Sequence, residues 1–281
     1  MVNTLKVENA RLTGDILGPV EEPPVFTSYP SIRDSDVRID EVQDGIYRIS
    51  GYYEPINITY NQFLIKDRKA ALIHTGPGWM FKSVEKRLLE VIRPEELEYV
   101  VLCHFESDEW GGMKFFRYPN AKLVCSRLSS RIGLTGWMDL PKPHIPVWEG
   151  DALSLGAKRL RFIMTPYVHH WDSMMGFEDT DGALFPADLF INYVDGNPVT
   201  NDPAGVEVMI KRYKESGLFA SERPVRMVLP KLQRLEPKMI HPMHGTSLDR
   251  SVHQEYFEAL RTRDFAYDGR LLSERLYETM S

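Results

Sequence analysis

Three residues able to bind a metal, His104, Glu106 and Asp108, occupy alternate positions directly after the apolar run Tyr99-Val100-Val101-Leu102-Cys103. The run reads as a buried strand. In extended backbone at the end of such a strand, alternate side chains point the same way. Three donors can therefore converge on one point without a helix to arrange them. The competing reading is a polar loop with scattered charges, and context decides between the two. Three further apolar runs end in a similar way. Residues 160–164 lead into Thr165-Pro166-Tyr167-Val168-His169-His170-Trp171-Asp172. Leu184-Phe185-Pro186-Ala187-Asp188 closes a third run and Ile240-His241-Pro242-Met243-His244-Gly245 a fourth. Each sets a His or Asp beside Pro or Gly, where the chain must turn. Singly, each is readable as a histidine capping a strand or an aspartate in a turn. Together they predict that distant strand ends meet.

A chain of 281 residues makes one large domain or two small ones, with room for a substantial core. The formal charge of −6 argues against nucleic acid as the main partner, because phosphate binding needs a basic surface. The mild acidity is read as an aid to solubility rather than as a docking face for a basic redox partner. No apolar stretch approaches the ~20 residues of a membrane span, and residues 1–18 lack the apolar centre of a secretory signal. Cys103 and Cys125, the two cysteines, lie at the ends of strand-like runs. They read as small packing residues rather than ligands or a disulfide. A cytoplasmic location is expected.

Residues 1–37, interrupted by Pro19, Pro23, Pro24 and Pro30, read as an N-terminal extension to a domain over 38–281. Strands are expected at 45–50, 59–65 and 69–74. Met80, Phe81, Val84, Leu88, Leu89 and Ile92 fall at helical spacing, and that helix ends before Pro94. A strand at 97–103 leads into the donor-rich loop. A second helix is expected from Gly111 or Gly112, a strand at 122–125, and a loop over 133–147 in which His144 is exposed. Strand pairs over 148–186, helices over 206–216 and 221–235, a strand at 238–241 and a helix over 249–264 complete the chain. Strand-rich halves that each carry helices predict an α/β fold, with two mixed sheets packed face to face and helices outside.

The chain resembles the metallo-β-lactamase superfamily, and within it the diiron domain of flavodiiron proteins and the stand-alone oxygen-binding diiron proteins. The likeness runs from about Val37 to Leu248. It is carried by Thr59-Tyr60-Asn61, Leu72-Ile73-His74-Thr75-Gly76, His104-x-Glu106-x-Asp108, Thr165-Pro166-x-x-His169, Asp172-Ser173-Met174, Asp188 and Pro242-x-His244-Gly245. It implies an αββα sandwich with a metal site at one edge of the sheets. It also implies that one iron takes His104, Glu106 and His169, that a second takes Asp108 and His244, and that Asp188 bridges them. Glu106 and Asp188 then carry the chemistry. The adjacent His170 rivals His169; the Thr-Pro-x-x-His offset favours His169. The chain departs from the pattern at Glu109, where related chains commonly carry His, and at His74, where many carry Asp. Glu109 is open to three roles: ligand, hydrogen-bond partner of a metal-bound water, or bystander. His74 is a candidate support for a ligand from behind. No flavodoxin-like segment or phosphate loop is found, so no FMN is expected in this chain.

Hydrolases of the superfamily typically place His where Glu106 stands. With three carboxylates and three neutral imidazoles, two divalent metals keep a net charge of +1; a His in place of Glu106 would leave +2. Hard oxygen donors and the lower charge favour redox-active iron over zinc. A carboxylate bridge holds two metals ~3.5–4 Å apart, a span one diatomic molecule can bridge. The expected cofactor is therefore a pair of iron ions, with an oxo or hydroxo bridge allowed and zinc as the alternative. The expected function is binding of O2 or NO, as a sensor or as the terminal module of a reductase fed by a separate electron-donor protein. The alternative is a dinuclear hydrolase of thioesters, lactones or phosphodiesters. A homodimer is left open. Trp110, Tyr167, Trp171 and Tyr193 are candidates to wall the site or to pack the core.

Overall fold

The computed structural model describes residues 30–118, 120–133, 144–192 and 196–267. A first sheet has seven strands in simple chain order: β1 (Val37–Gln43), β2 (Ile46–Tyr53), β3 (Ile58–Ile65), β4 (Ala70–Ile73), β5 (Leu97–Val101), β6 (Lys122–Ser126) and β7 (His144–Val147). Strands β1 to β4 pair antiparallel through short turns. From β4 to β7 the pairing is parallel, which requires crossovers; α1 (Phe81–Leu88) makes the first of them.

The second sheet is also seven-stranded. It comprises β8 (Ala152–Ser154), β9 (Arg159–Met164), β10 (Met174–Glu178), β11 (Ala183–Phe185), β12 (Val199–Thr200), β13 (Met239–Ile240) and β14 (Ser247–Asp249), in the order β12-β14-β13-β11-β10-β9-β8. Helices α3 (Gly205–Ser216), α4 (Arg223–Gln233) and α5 (His253–Thr262) cover its outer face.

Three apolar layers follow from the period of two. Phe63, Ile65, Ile73, Val101 and Val124 of the first sheet meet Leu160, Phe162, Met174 and Phe185 of the second, forming the layer between the sheets. Their sequence neighbours Leu64, Leu72, Val100 and Leu123 face the other way, onto Phe81, Val84 and Leu88 of α1. Alternate residues of one strand thus feed different layers, which explains why these strands read as unbroken apolar runs. On the far side Met209, Tyr213, Leu229, Tyr256 and Leu260 of the helices pack on Ile163, Met175, Leu184 and Ile240. The result is the expected αββα sandwich.

Several local expectations need correction. The second helix starts earlier: α2 spans Ser107–Trp110 and continues as a 3-10 turn, Gly111–Phe115. The stretch 133–147 is not all loop, since His144–Val147 forms the edge strand β7. His144 is half-buried, with Nε2 2.7 Å from Ser130 Oγ. The short strands β12 and β14 carry too few residues to show a periodicity. Most of the proline-rich extension and Tyr193 lie outside the described residues. Cys103 and Cys125 are both buried and unpaired, as expected.

Candidate metal centre

Four loops at one edge of the sandwich carry the predicted donors, and backbone hydrogen bonds tie those loops together. His104 leaves the end of β5, and the carbonyl of Cys103 before it accepts from Met174 N–H, the first residue of β10, at 2.8 Å. Asp188 follows a left-handed turn at Ala187 (φ 52°). That unfavourable conformation costs roughly 1–2 kcal/mol for an L-residue. It is fixed by the Ala187 carbonyl, which accepts from Met243 N–H at 2.8 Å, next to His244. Tyr213 of α3 donates its hydroxyl to the Asp188 carbonyl at 2.9 Å. The loop before His244 is held by Asn61, whose backbone N–H bonds Met243 O and whose amide bonds Pro242 O and Gly245 O. That is the task of the Thr59-Tyr60-Asn61 strand start.

The donors meet around Asp188, and its two oxygens face different neighbours. Asp188 Oδ2 lies 3.2 Å from His104 Nε2 and 3.0 Å from His169 Nε2. Glu106 Oε2 closes this group at 3.3 Å from His104 Nε2 and 3.0 Å from His169 Nε2. Ligand atoms of His104, Glu106, His169 and Asp188 all lie within 4.8 Å of one another. On the other side, Asp188 Oδ1 is 3.3 Å from His244 Nε2, which is 3.5 Å from Asp108 Oδ2. His244 donates Nδ1–H to the Thr59 carbonyl at 2.8 Å, so its Nε2 lone pair is presented inward.

The chemistry of this set fits cations. Three carboxylates, from Glu106, Glu109 and Asp188, stand within 3.3 Å of the single nitrogen His104 Nε2. One N–H cannot serve three acceptors. Asp188 Oδ1 and both Glu109 oxygens are buried without a hydrogen-bond partner; buried polar groups are ordinarily paired. The field is strongly acidic. Burial alone would lower the pKa of His104, yet the Asp188 and Glu106 carboxylates prevail and raise it to about 10. The same contest raises His169 to about 9 and, with Asp108 and Asp188, His244 to about 10. Burial opposes ionisation of Glu106, but His104 and His169 bring it down to about 2. A metal at either position would take the place of protons held by these imidazoles.

Of the two adjacent histidines, the structure brings His169 to Glu106 and Asp188. His170 turns away: its Nδ1 lies 2.6 Å from Asp172 Oδ1, and Ser129 Oγ donates to Asp172 Oδ2. His74 touches no donor by hydrogen bond. It accepts Cys103 N–H at Nε2 (3.4 Å), and its Nδ1 sits 3.1 Å from Met243 Sδ. It braces the residue before His104 and the residue before His244. Among the aromatic candidates, Trp110 is a core residue packed on Phe105, and Tyr167 is exposed. The rings that do flank the donors are Phe219, edge-on to His169 at 6.1 Å, and Tyr60, edge-on to His244 at 5.5 Å. Phe219 comes from a connection with no strand or motif to flag it. Tyr60 lies in a quoted motif, yet nothing local marks it as a neighbour of a residue 184 positions away.

Residues 58–245 match the family described as ODP family beta lactamase, more than half of the chain. The chain belongs to this family. Among curated relatives of this ODP-family chain, an uncharacterised protein of Methanocaldococcus jannaschii is 28% identical over 226 residues, 73% of this chain and 56% of the relative. An anaerobic nitric oxide reductase flavorubredoxin of Pectobacterium carotovorum is 28% identical over 198 residues, 69% of this chain and 38% of the relative. The chain thus spans little more than half of the first relative and under two fifths of the second. Among solved structures, the metal-soaked Flv1 flavodiiron core from Synechocystis superimposes with a TM-score of 0.72 at 21% identity, over 82% of this chain and 62% of the other. The ODP-family fold is therefore that of the flavodiiron core.

Proposed function

We propose that this ODP-family chain holds two iron ions, one on each side of Asp188, and in that state binds O2 or NO. Reduction of the gas follows where a separate protein supplies electrons. The observation that carries the reading is the division of the Asp188 carboxylate, with Oδ2 among His104, Glu106 and His169 and Oδ1 beside His244 and Asp108. A carboxylate shared in this way is the usual means of holding two metals close. The carboxylate at Glu106 favours iron over zinc, and the Pectobacterium relative is named for nitric oxide reduction.

Ferrous ions at these positions would supply reducing electrons and open coordination sites for a diatomic molecule. The protein supplies position and access. Asp188 is anchored through Tyr213, and His244 through Thr59. The Glu106 side chain is 41% exposed whereas that of Asp188 is 4% exposed, so a small molecule enters from the Glu106 side. Phe219 and Tyr60 border the imidazoles with apolar surface. We place the metal domain within 38–281 and the protein in the cytoplasm, a compartment that suits its two unpaired, buried thiols. Among the described residues no helix is long and apolar enough to cross a membrane.

Anaerobic loading with Fe(II) tests the reading. Two ions per chain are expected, with an optical change on addition of O2 or NO; consumption of the gas only when a donor is added marks a reductase. Uptake of two zinc ions with esterase turnover, and no response of the iron-loaded protein to either gas, overturns it.

A further inference from the structure

One carboxylate in the acidic cluster has no task among the six predicted donors. Glu109 is wholly buried and neither of its oxygens has a hydrogen-bond partner. Its Oε1 lies 3.2 Å from His104 Nε2. A ligand atom of Glu109 is also within 4.8 Å of ligand atoms of both Glu106 and Asp108.

The side chain is held there by its backbone. Glu109 sits on α2, and its carbonyl accepts two bonds from Thr75, from the backbone N–H at 2.5 Å and from Oγ1 at 3.0 Å. Gly112 N–H bonds the Gly76 carbonyl at 2.9 Å. Gly111 packs so closely on the Gly78 loop that an added Cβ would lie 2.6 Å from Gly78 N. With the turn clamped on this side, the carboxylate has no route to solvent. A buried carboxylate without partners is costly unless a cation joins it.

We propose that Glu109 is a ligand of the metal ion held by Asp108 and His244. The first position already gathers four donors, from His104, Glu106, His169 and Asp188 Oδ2. The second gathers three, Asp108, His244 and Asp188 Oδ1, and Glu109 completes it. The centre then has four carboxylates and three imidazoles, which cancel the charge of two divalent ions and favour their oxidised state. The assignment rests on the two-metal reading above.

Anaerobic titration with Fe(II), repeated with Co(II) for its ligand-sensitive absorption, tests it on wild type, Glu109→Gln and Glu109→His. Wild type is expected to bind two ions. Glu109→Gln should keep one and bind the second at least about tenfold more weakly, with an altered Co(II) spectrum and a higher midpoint potential. Glu109→His returns a donor atom and should restore the second ion. Metal-free Glu109→Gln should melt no lower than metal-free wild type, because it exchanges one buried polar group that makes no hydrogen bond for another of similar size. Two ions bound by Glu109→Gln with unchanged affinity and spectrum would overturn the assignment alone. Fewer than two ions in wild type would overturn the two-metal reading and this assignment with it. A metal-free variant that melts lower, and in which His fails to restore the second ion, assigns Glu109 a structural role instead.

Discussion

Asp188 shows how much one side chain decides. Each of its oxygens faces a different set of imidazoles, and although burial opposes ionisation, three histidines hold its carboxyl far below the usual range. Asp188→Asn replaces one oxygen with an NH2 group, which cannot ligate a cation in the same way. We expect metal content to fall from two ions per chain to less than one, measured by elemental analysis after anaerobic loading. A second residue-scale prediction concerns His241, away from the donors. It is buried, with Nε2 3.3 Å from Gln43 Oε1 and Nδ1 2.8 Å from Ser247 Oγ. Burial, with the charges of Arg48 and His253, lowers its pKa to about 3. The unfolded chain takes up this proton near the ordinary value of about 6.5, whereas the folded chain does not until near 3. Stability from this group is therefore complete above pH 6.5 and is lost as pH falls toward 3, by about 1.4 kcal/mol per pH unit. His241→Gln should flatten denaturation free energy against pH by about one proton in that window, with no change of slope above it.

At the scale of elements, the loop after β5 corrects the alternation argument in an instructive way. Glu106 is extended, at φ −131° and ψ 153°, but the chain bends through Cys103–Phe105 before it, so His104 and Glu106 do not lie on one continuous strand. Asp108 is not extended, because α2 has begun. In a continuing strand Asp108 and Glu109 would face opposite ways; on a helical turn both can face the cluster. The expectation placed the start of α2 at the glycines, which are poor helix formers. The structure uses those glycines for closeness instead. A Cβ on Gly112 would lie 2.5 Å from the Phe81 ring and 2.8 Å from the Thr75 carbonyl. Gly112→Ala should therefore destabilise by about 1–3 kcal/mol, read as a lower thermal midpoint in the metal-free protein. It should also weaken metal uptake, since α2 carries Asp108. An unaltered midpoint would show that α1 gives way at no cost.

For the whole molecule, the donors divide between the sheets. His104, Glu106 and Asp108 issue from the first sheet; His169, Asp188 and His244 issue from the second. The cluster sits on the seam of the sandwich, so bound metal would cross-link its halves. A ligand at about 100 times its Kd adds about 2.7 kcal/mol, which for a domain of this size raises the melting midpoint by roughly 5–10 °C. Iron loading should raise the midpoint of wild type by that order and leave Asp188→Asn unmoved; a chelator should reverse the shift. An equal rise in both proteins would place the metal elsewhere.

Strand identity and the layered α/β architecture were legible in the sequence, because each rests on local pattern; the six residues proposed as metal donors were named through the family resemblance. Apolar runs report burial, and His or Asp next to Pro or Gly reports a strand end facing a turn. The choice of His169 over His170 was signalled by the Thr-Pro-x-x-His offset, whereas the brace that His74 forms between two loops and the approach of Phe219 to His169 were not legible. They depend on how loops from separate strands pack on one another, through contacts such as Met243 N–H to Ala187 O that join residues 56 positions apart. Glu109 marks the division best. Its type is plain in the sequence, but its direction is set by a helical turn pressed onto Thr75 and Gly78, and only tertiary packing brings those residues together.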